Sequence, residues 1–414
     1  MSPFPAFVAA LCLVLALPGP GRAASGDFDL PLFIPALTGV PLSRDSDGDG
    51  LPDLWELRGY TENGTFVDLP AMGADPWHKD LFVWMDYMVK PGGPSLAPNQ
   101  TVIDNIKAVF ANAPVTNPDG TTGVTIHPLL KNQVEYKAEL GKKNDDPSVW
   151  TDFDALKNAD TDFNAALARS HRYMIWANDY QESGSSGLAR NIPATDFIVS
   201  LGTFPTPGGT EWEKLGTFIH ELGHCLGLKH GGTDDTNYKP NYLSIMSYTF
   251  QMSGVYKDGH FGDAGHPLLF DYQRIETPAL NETSLNENLG LTGAGSVAGY
   301  GTVFYYFSNN ACQQVGITNA NAAIDWNQDG KIETGVSFGI HCDPDEPAQE
   351  EKVTLTAQDN WAHINYSANG LIGPSLTKAE RRTRLAEPIP ESLKHELNLE
   401  TYLKLQRLRQ STAP

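Results

Sequence analysis

The sequence predicts an α+β fold in which a twisted mixed sheet is covered by helices, with irregular extensions at both ends. Three observations carry this. Residues 80–89 (DLFVWMDYMV) form an apolar run of strand length, and residues 99–113 repeat apolar side chains at helical spacing. The alternation continues through strand-like runs at 124–130, 173–176 and 197–201. A well-marked helix follows. Thr210 and Glu213 make a capping box at its start, and Leu215, Phe218, Ile219, Leu222 and Leu226 fall on one face. Gly227 stands where a helix terminator belongs.

Composition narrows the functional classes. The chain has 414 residues, 40% of them hydrophobic and 19% charged, with a formal net charge of -21. A phosphate-binding surface needs a basic footprint, so this balance speaks against nucleic acid as a partner. Phe7 to Leu17 is an unbroken apolar run followed by Pro18, Pro20 and small residues, so residues 1–23 read as a cleavable secretory signal and predict an extracellular protein. That run is too short to span a bilayer, and no other stretch is apolar enough to cross one. Residues 24–75 are Pro-, Gly- and Asp-rich, 76–280 hold the alternating strands and helices, 281–370 are Gly/Asn-rich, and 371–414 form a charged helical tail expected to be a solvated face.

The chemistry is concentrated in residues 220–230, His-Glu-Leu-Gly-His-Cys-Leu-Gly-Leu-Lys-His. His220 and His224 are four apart on a helix, so their imidazoles rise from one face and can share an ion. Gly227 permits a sharp turn that carries His230 back to a third coordination position. Three neutral imidazoles leave a fourth position for water, the arrangement that separates a catalytic zinc from a structural one. Glu221 is rotated about a hundred degrees from His220 around the helix axis, which aims it at that water as general base. A bare HExxH arises by chance; the eleven-residue string, with glycine at the one place that needs it, is far more demanding.

This stretch resembles the metzincin clan of zinc metallopeptidases, whose signature HExxHxxGxxH is followed by a Met-containing turn. Ser244-Ile245-Met246-Ser247-Tyr248 is similar to that turn. The resemblance implies a metzincin-like catalytic domain over 76–280, hydrolysis of protein or peptide substrates, and Met246 as an apolar floor beneath the imidazoles. It also implies that Tyr248 serves as a metal ligand or a hydrogen-bond donor to the reacting carbonyl, as in astacin-like and serralysin-like members. In such an architecture residues 195–204 would be the edge strand that pairs with substrate. No family within the clan is assigned.

Oxygen donors recur at calcium-ligand spacing. Asp45, Asp47, Asp49, the Leu51 carbonyl, Asp53 and Glu56 occupy EF-hand-like loop positions with Gly50 at the turn, and Pro52 makes the loop similar to those of thrombospondin type 3 repeats. Asp325, Asn327, Asp329, the Lys331 carbonyl and Glu333 form a second such loop; it lacks a terminal carboxylate, for which Asp343 or Asp345 is available. Removing the signal takes Cys12 and leaves three cysteines, of which Cys312 and Cys342 are the preferred pair and Cys225 a small buried apolar residue. Two other functions stay open at this point: a zinc hydrolase of a non-peptide amide, and a calcium-stabilised extracellular binding module with a vestigial zinc site.

Overall fold

The computed structural model describes residues 41–412 except 42, 293–296 and 395; the signal reading at 1–23 and residues 24–40 lie outside them. A five-stranded mixed sheet runs in the spatial order Thr125–Gln133, Asp80–Tyr87, His171–Trp176, Asp196–Val199, Gly187–Ala189. The first four strands are parallel, and Gly187–Ala189 pairs antiparallel to Asp196–Val199 with Leu188 opposite Ile198. Helices are needed on both faces of such a sheet, which is why the Asp80–Tyr87 and His171–Trp176 strands are apolar almost throughout and buried. The helix predicted over 99–113 spans Gln100–Ala111 and is capped by the Asn99 side chain.

One expectation about the sheet is corrected. Residues 195–204 do not form its edge, because Asp196–Val199 lies between two other strands. The edge on that side is the three-residue strand Gly187–Ala189, too short for its periodicity to be read from sequence.

Helix Glu211–Cys225 begins at the predicted capping box, with Thr210 and Glu213 exchanging hydrogen bonds. Phe218 stacks on Trp176 at 5.9 Å and meets Phe197 edge-on at 5.5 Å, which fixes the helix against the sheet. On its other side the helix lies flat on the 246–251 loop. A β-carbon at Gly216 would sit 1.9 Å from the Gln251 carbonyl oxygen, and one at Gly223 would sit 2.3 Å from the Met246 sulfur. Only glycine permits that approach.

The region beyond 280 folds onto this frame rather than trailing from it. Leu280–Asn281 pairs with Thr354–Leu355, Leu285–Asn286 with Thr334–Val336, and Thr302–Ser308 forms a hairpin with Ala311–Ile317. Cys312 and Cys342 are bridged, with a Cα–Cα distance of 5.8 Å, and Cys225 is free and buried. Asn360 joins the region to the 242–248 loop, its Oδ1 accepting from Tyr242, Ser244 and the Gln273 amide. The charged tail is not a solvated face: Leu393, Leu397, Thr401 and Leu405 are buried.

Buried carboxylates hold these loops. Glu282 accepts from the Ile340 and Val353 amides and faces His341 Nδ1 at 2.8 Å, while Glu350 reaches His341 Nε2 at 2.7 Å. Burial by itself would lower the His341 pKa; the two carboxylates outweigh it and lift the group to about 9. A raised histidine pKa stabilises the fold fully below its unfolded value of about 6.5, and the contribution is lost as pH rises through about 9. His341→Asn is therefore expected to cost up to about 3 kcal/mol in urea unfolding at pH 6, and the deficit should shrink steadily towards pH 10. A deficit independent of pH would show that His341 is not held charged.

Candidate metal centre

The helix brings His220 and His224 to the same side, and the turn at Gly227 (φ 92°) returns His230 to them. His224 Nε2 lies 3.1 Å from both His220 Nε2 and His230 Nε2. In a tetrahedral site with Zn–N bonds of about 2.0–2.1 Å, ligand atoms stand roughly 3.3 Å apart, so the spacing fits one zinc ion. The far ring nitrogens fix the tautomers. His220 Nδ1 faces the Ile245 carbonyl at 3.0 Å and His224 Nδ1 the Leu228 carbonyl at 2.9 Å, so each Nδ1 carries the proton and each Nε2 keeps its lone pair for a metal. All three histidines are buried.

Glu221 is wholly buried beside this cluster, packed against the sheet edge. A β-carbon at Gly187 would fall 2.5 Å from Glu221 Oε1, so the edge strand requires glycine there to admit the carboxylate. Burial, followed by the charge of Glu396, pushes the Glu221 pKa well above the usual carboxylate range. Met246 is buried in contact distance of the helix at Gly223, and the Tyr248 ring lies 4.7 Å from the His230 ring.

The fourth position holds a residue that the sequence analysis left unassigned. Glu396, from the tail, places Oε2 3.3 Å from His220 Nε2 and from His230 Nε2, and Oε1 3.3 Å from His224 Nε2. Tyr248 donates its hydroxyl to Glu396 Oε2 at 3.2 Å. Burial would raise the Glu396 pKa, but the three imidazoles outweigh it and hold the carboxyl well below the usual range. The group able to hold a metal is thus three histidines and a glutamate, where the sequence left room for water. The sequence carries one faint signal, a lone carboxylate between Leu393, Leu397 and Leu399 in an otherwise charged tail.

The first oxygen-rich loop forms a second centre, with one exchange of ligands. Asp45, Asp47 and Asp49 converge, and Asp49 also converges with Glu56 and with Asp80 of strand Asp80–Tyr87. Leu51 is buried and its amide donates to Asp49. Asp53 turns away, accepting from Ser46 and pairing with Arg44 at 3.0 Å, so Asp80 stands where Asp53 was expected. Asp80 was invisible as a ligand because it reaches the loop only through the sheet. Both Glu56 oxygens and Asp47 Oδ2 are buried without a hydrogen-bond partner. Burial and the neighbouring carboxylates push Glu56 up to about 11 and Asp47 up to about 7. Such a cluster fits a hard cation, whose charge would let the acids ionise together.

The second loop does not converge in this way. Asp325 accepts from the Asp329 and Gly330 amides, Asn327 from the Asp329 amide, and Asp329 from the Lys331 amide, an amide pattern that the first loop shares at Asp45, Asp47 and Asp49. Glu333 gives its amide to the buried Glu287, which also binds the Trp326 amide. Asp345 is taken by Thr401 and Lys404, and Asp343 by the Asp345 amide. Among the described residues no three His, Cys, Asp or Glu side chains converge at this loop.

The contact of Gly187 with Glu221 can be tested by a double-mutant cycle. Gly187→Ala is expected to destabilise the fold by about 1–3 kcal/mol through overpacking, and Glu221→Ala in the same chain should recover most of that loss. Strictly additive effects in chemical denaturation would separate the two residues.

Comparison with known proteins finds a short likeness. The chain is 29% identical over 117 residues to Serralysin C of Dickeya chrysanthemi, an alignment covering 25% of this chain and 22% of that protein. The chain therefore spans under a quarter of the length of the relative it matches. No family model matches. Among the described residues no helix is long and apolar enough to cross a membrane. The short match supports kinship with a metalloprotease clan, and the described residues include a buried His-His-His-Glu group able to hold a metal.

Proposed function

We propose that this protein is a secreted zinc-dependent endopeptidase of the metzincin type. The observation that carries the reading is the convergence of three imidazole Nε2 atoms, with Glu221 beside them and the Tyr248 hydroxyl reaching the same point. His220, His224 and His230 would hold the ion. Bound zinc supplies a Lewis acid and lowers the pKa of water to roughly 7.

The remaining chemistry belongs to the chain. Glu221 takes a proton from the attacking water and passes it to the leaving amine, a role suited to a carboxyl in a dry site. Tyr248 donates a hydrogen bond to the carbonyl oxygen as that oxygen gains charge. The chain beside Gly187–Ala189 would orient an extended peptide by main-chain hydrogen bonds through the Ser186 amide and Gly184 carbonyl, which here pair with Leu397 and Leu399. A peptide substrate, rather than a small amide, is favoured by that edge. The Asp47, Asp49, Glu56 and Asp80 cluster would bind one structural calcium ion, in keeping with a protein exported under the signal read in residues 1–23.

Elemental analysis is expected to find one zinc per chain, lost in a His220→Ala/His224→Ala variant. Casein cleavage by Glu221→Ala should fall by about 10²–10⁴-fold with zinc content unchanged, the magnitude of a lost general base. Equal, measurable cleavage by wild type and Glu221→Ala, or by Glu396→Ala and the Glu396→Ala/Glu221→Ala double variant, would remove Glu221 from the mechanism.

Calcium should appear as stability. At a free concentration of about 100 times its Kd, one ion contributes about 2.7 kcal/mol, so EGTA is expected to lower the unfolding midpoint and Glu56→Gln to abolish that response. An EGTA effect that persists in Glu56→Gln would place the ion elsewhere.

A further inference from the structure

We infer that the C-terminal segment around Glu396 is an intramolecular inhibitor that occupies both the metal's fourth position and the peptide-binding edge of the sheet. The inference rests on the reading of His220, His224 and His230 as the zinc site.

Two independent sets of contacts seat the segment. At the histidines, Glu396 Oε2 lies 3.3 Å from His220 and His230 Nε2 and Oε1 lies 3.3 Å from His224 Nε2, distances that would let the carboxylate share an ion with them. The carboxylate also takes the hydrogen bond of Tyr248, the donor otherwise directed at a reacting carbonyl. Just before strand Gly187–Ala189, the next residues make one antiparallel bridge with the chain at 184–186. The Leu397 carbonyl accepts from the Ser186 amide at 2.9 Å, the Leu399 amide donates to the Gly184 carbonyl at 2.9 Å, and Asn398 bridges antiparallel to Ser185. This is the pairing an extended substrate would need, so tail and substrate exclude one another.

The tail is anchored on both sides of Glu396. Leu393 and Leu397 are buried before and after it. Helix Leu399–Thr412 then packs on the Ala311–Ile317 strand, with Lys404 paired to Asp345 at 3.1 Å, Thr401 bonded to Asp345, and Arg409 donating to the Thr249 carbonyl next to Tyr248. An anchored segment has an effective concentration in the millimolar range, so even a weak carboxylate ligand would fill the site. A fully buried carboxylate is costly unless something compensates it, and a metal with three imidazoles does so. A solvated tail has no reason to place its carboxylate there.

The test compares full-length wild type, Glu396→Ala and Leu397→Ser, each checked for folding by circular dichroism and for zinc content. Acetohydroxamate, a small metal-binding probe, is titrated calorimetrically, and visible spectra are taken of the cobalt(II)-substituted proteins. If the tail fills the site nine-tenths of the time or more, Glu396→Ala should bind acetohydroxamate at least about tenfold more tightly. Its cobalt spectrum should differ from wild type, Leu397→Ser should shift the same way by loosening the strand, and casein cleavage should rise in both. With zinc bound in all three proteins, superimposable spectra and equal acetohydroxamate affinities would overturn the inhibitor and leave the peptidase reading standing. Tighter probe binding with no casein cleavage would support the inhibitor and count against the peptidase. Absence of zinc from every protein would overturn both.

Discussion

The structure depends on the close approach between the Glu211–Cys225 helix and the 246–251 loop. Gly216 and Gly223 carry no side chain on the face that meets the Gln251 carbonyl and the Met246 sulfur, so helix and loop can touch. That contact sets the height of the helix over the sheet. It brings the Ile245 carbonyl to His220 Nδ1 and delivers Tyr248 to the side of His230. A larger residue at either glycine would lift the loop, and the imidazole that leans on it would lose both its tautomer and its aim. The geometry of the proposed metal centre is thus a packing result before it is an electrostatic one.

Charge compensation is the second constraint. Three imidazole lone pairs facing one another in a dry site are unfavourable without a positive centre between them. The same holds for Glu56 and Asp47, buried beside Asp49 with both Glu56 oxygens and one Asp47 oxygen left without donors. Elsewhere the chain solves the problem differently: Glu282 and Glu287, equally buried, are met by backbone amides from the loops they clamp. The contrast separates carboxylates whose partners are already present in the protein from those that call for an ion.

The tail links these two themes. Its carboxylate is balanced by the imidazoles, its backbone completes the unpaired edge beside Gly187–Ala189, and its helix covers the hairpin that carries Cys312. An open sheet edge is a liability as well as a binding site, because it offers unpaired amides and carbonyls to any extended chain. Residues 397–399 cover the amide and carbonyl at 186 and 184 and so reduce that liability. Opening the edge therefore requires breaking a strand pairing and a buried ion contact together.

Much of the centre was legible in the sequence because its parts are local. His220, Glu221 and His224 are fixed relative to one another by helical geometry, Gly227 and His230 by the turn that ends the helix, and the start of that helix by the Thr210–Glu213 capping box. The apolar strands and the first oxygen-rich loop announce themselves within a dozen residues for the same reason. What only the tertiary structure decided lies far apart in the chain: Asp80 replacing Asp53 beside the loop, Gly187 making room for Glu221, Asn360 tying in the later region, and Glu396 reaching the histidines across more than 160 residues. No local periodicity records such contacts. They arise when the sheet sets its strand order and segment 396–399 settles beside strand Gly187–Ala189.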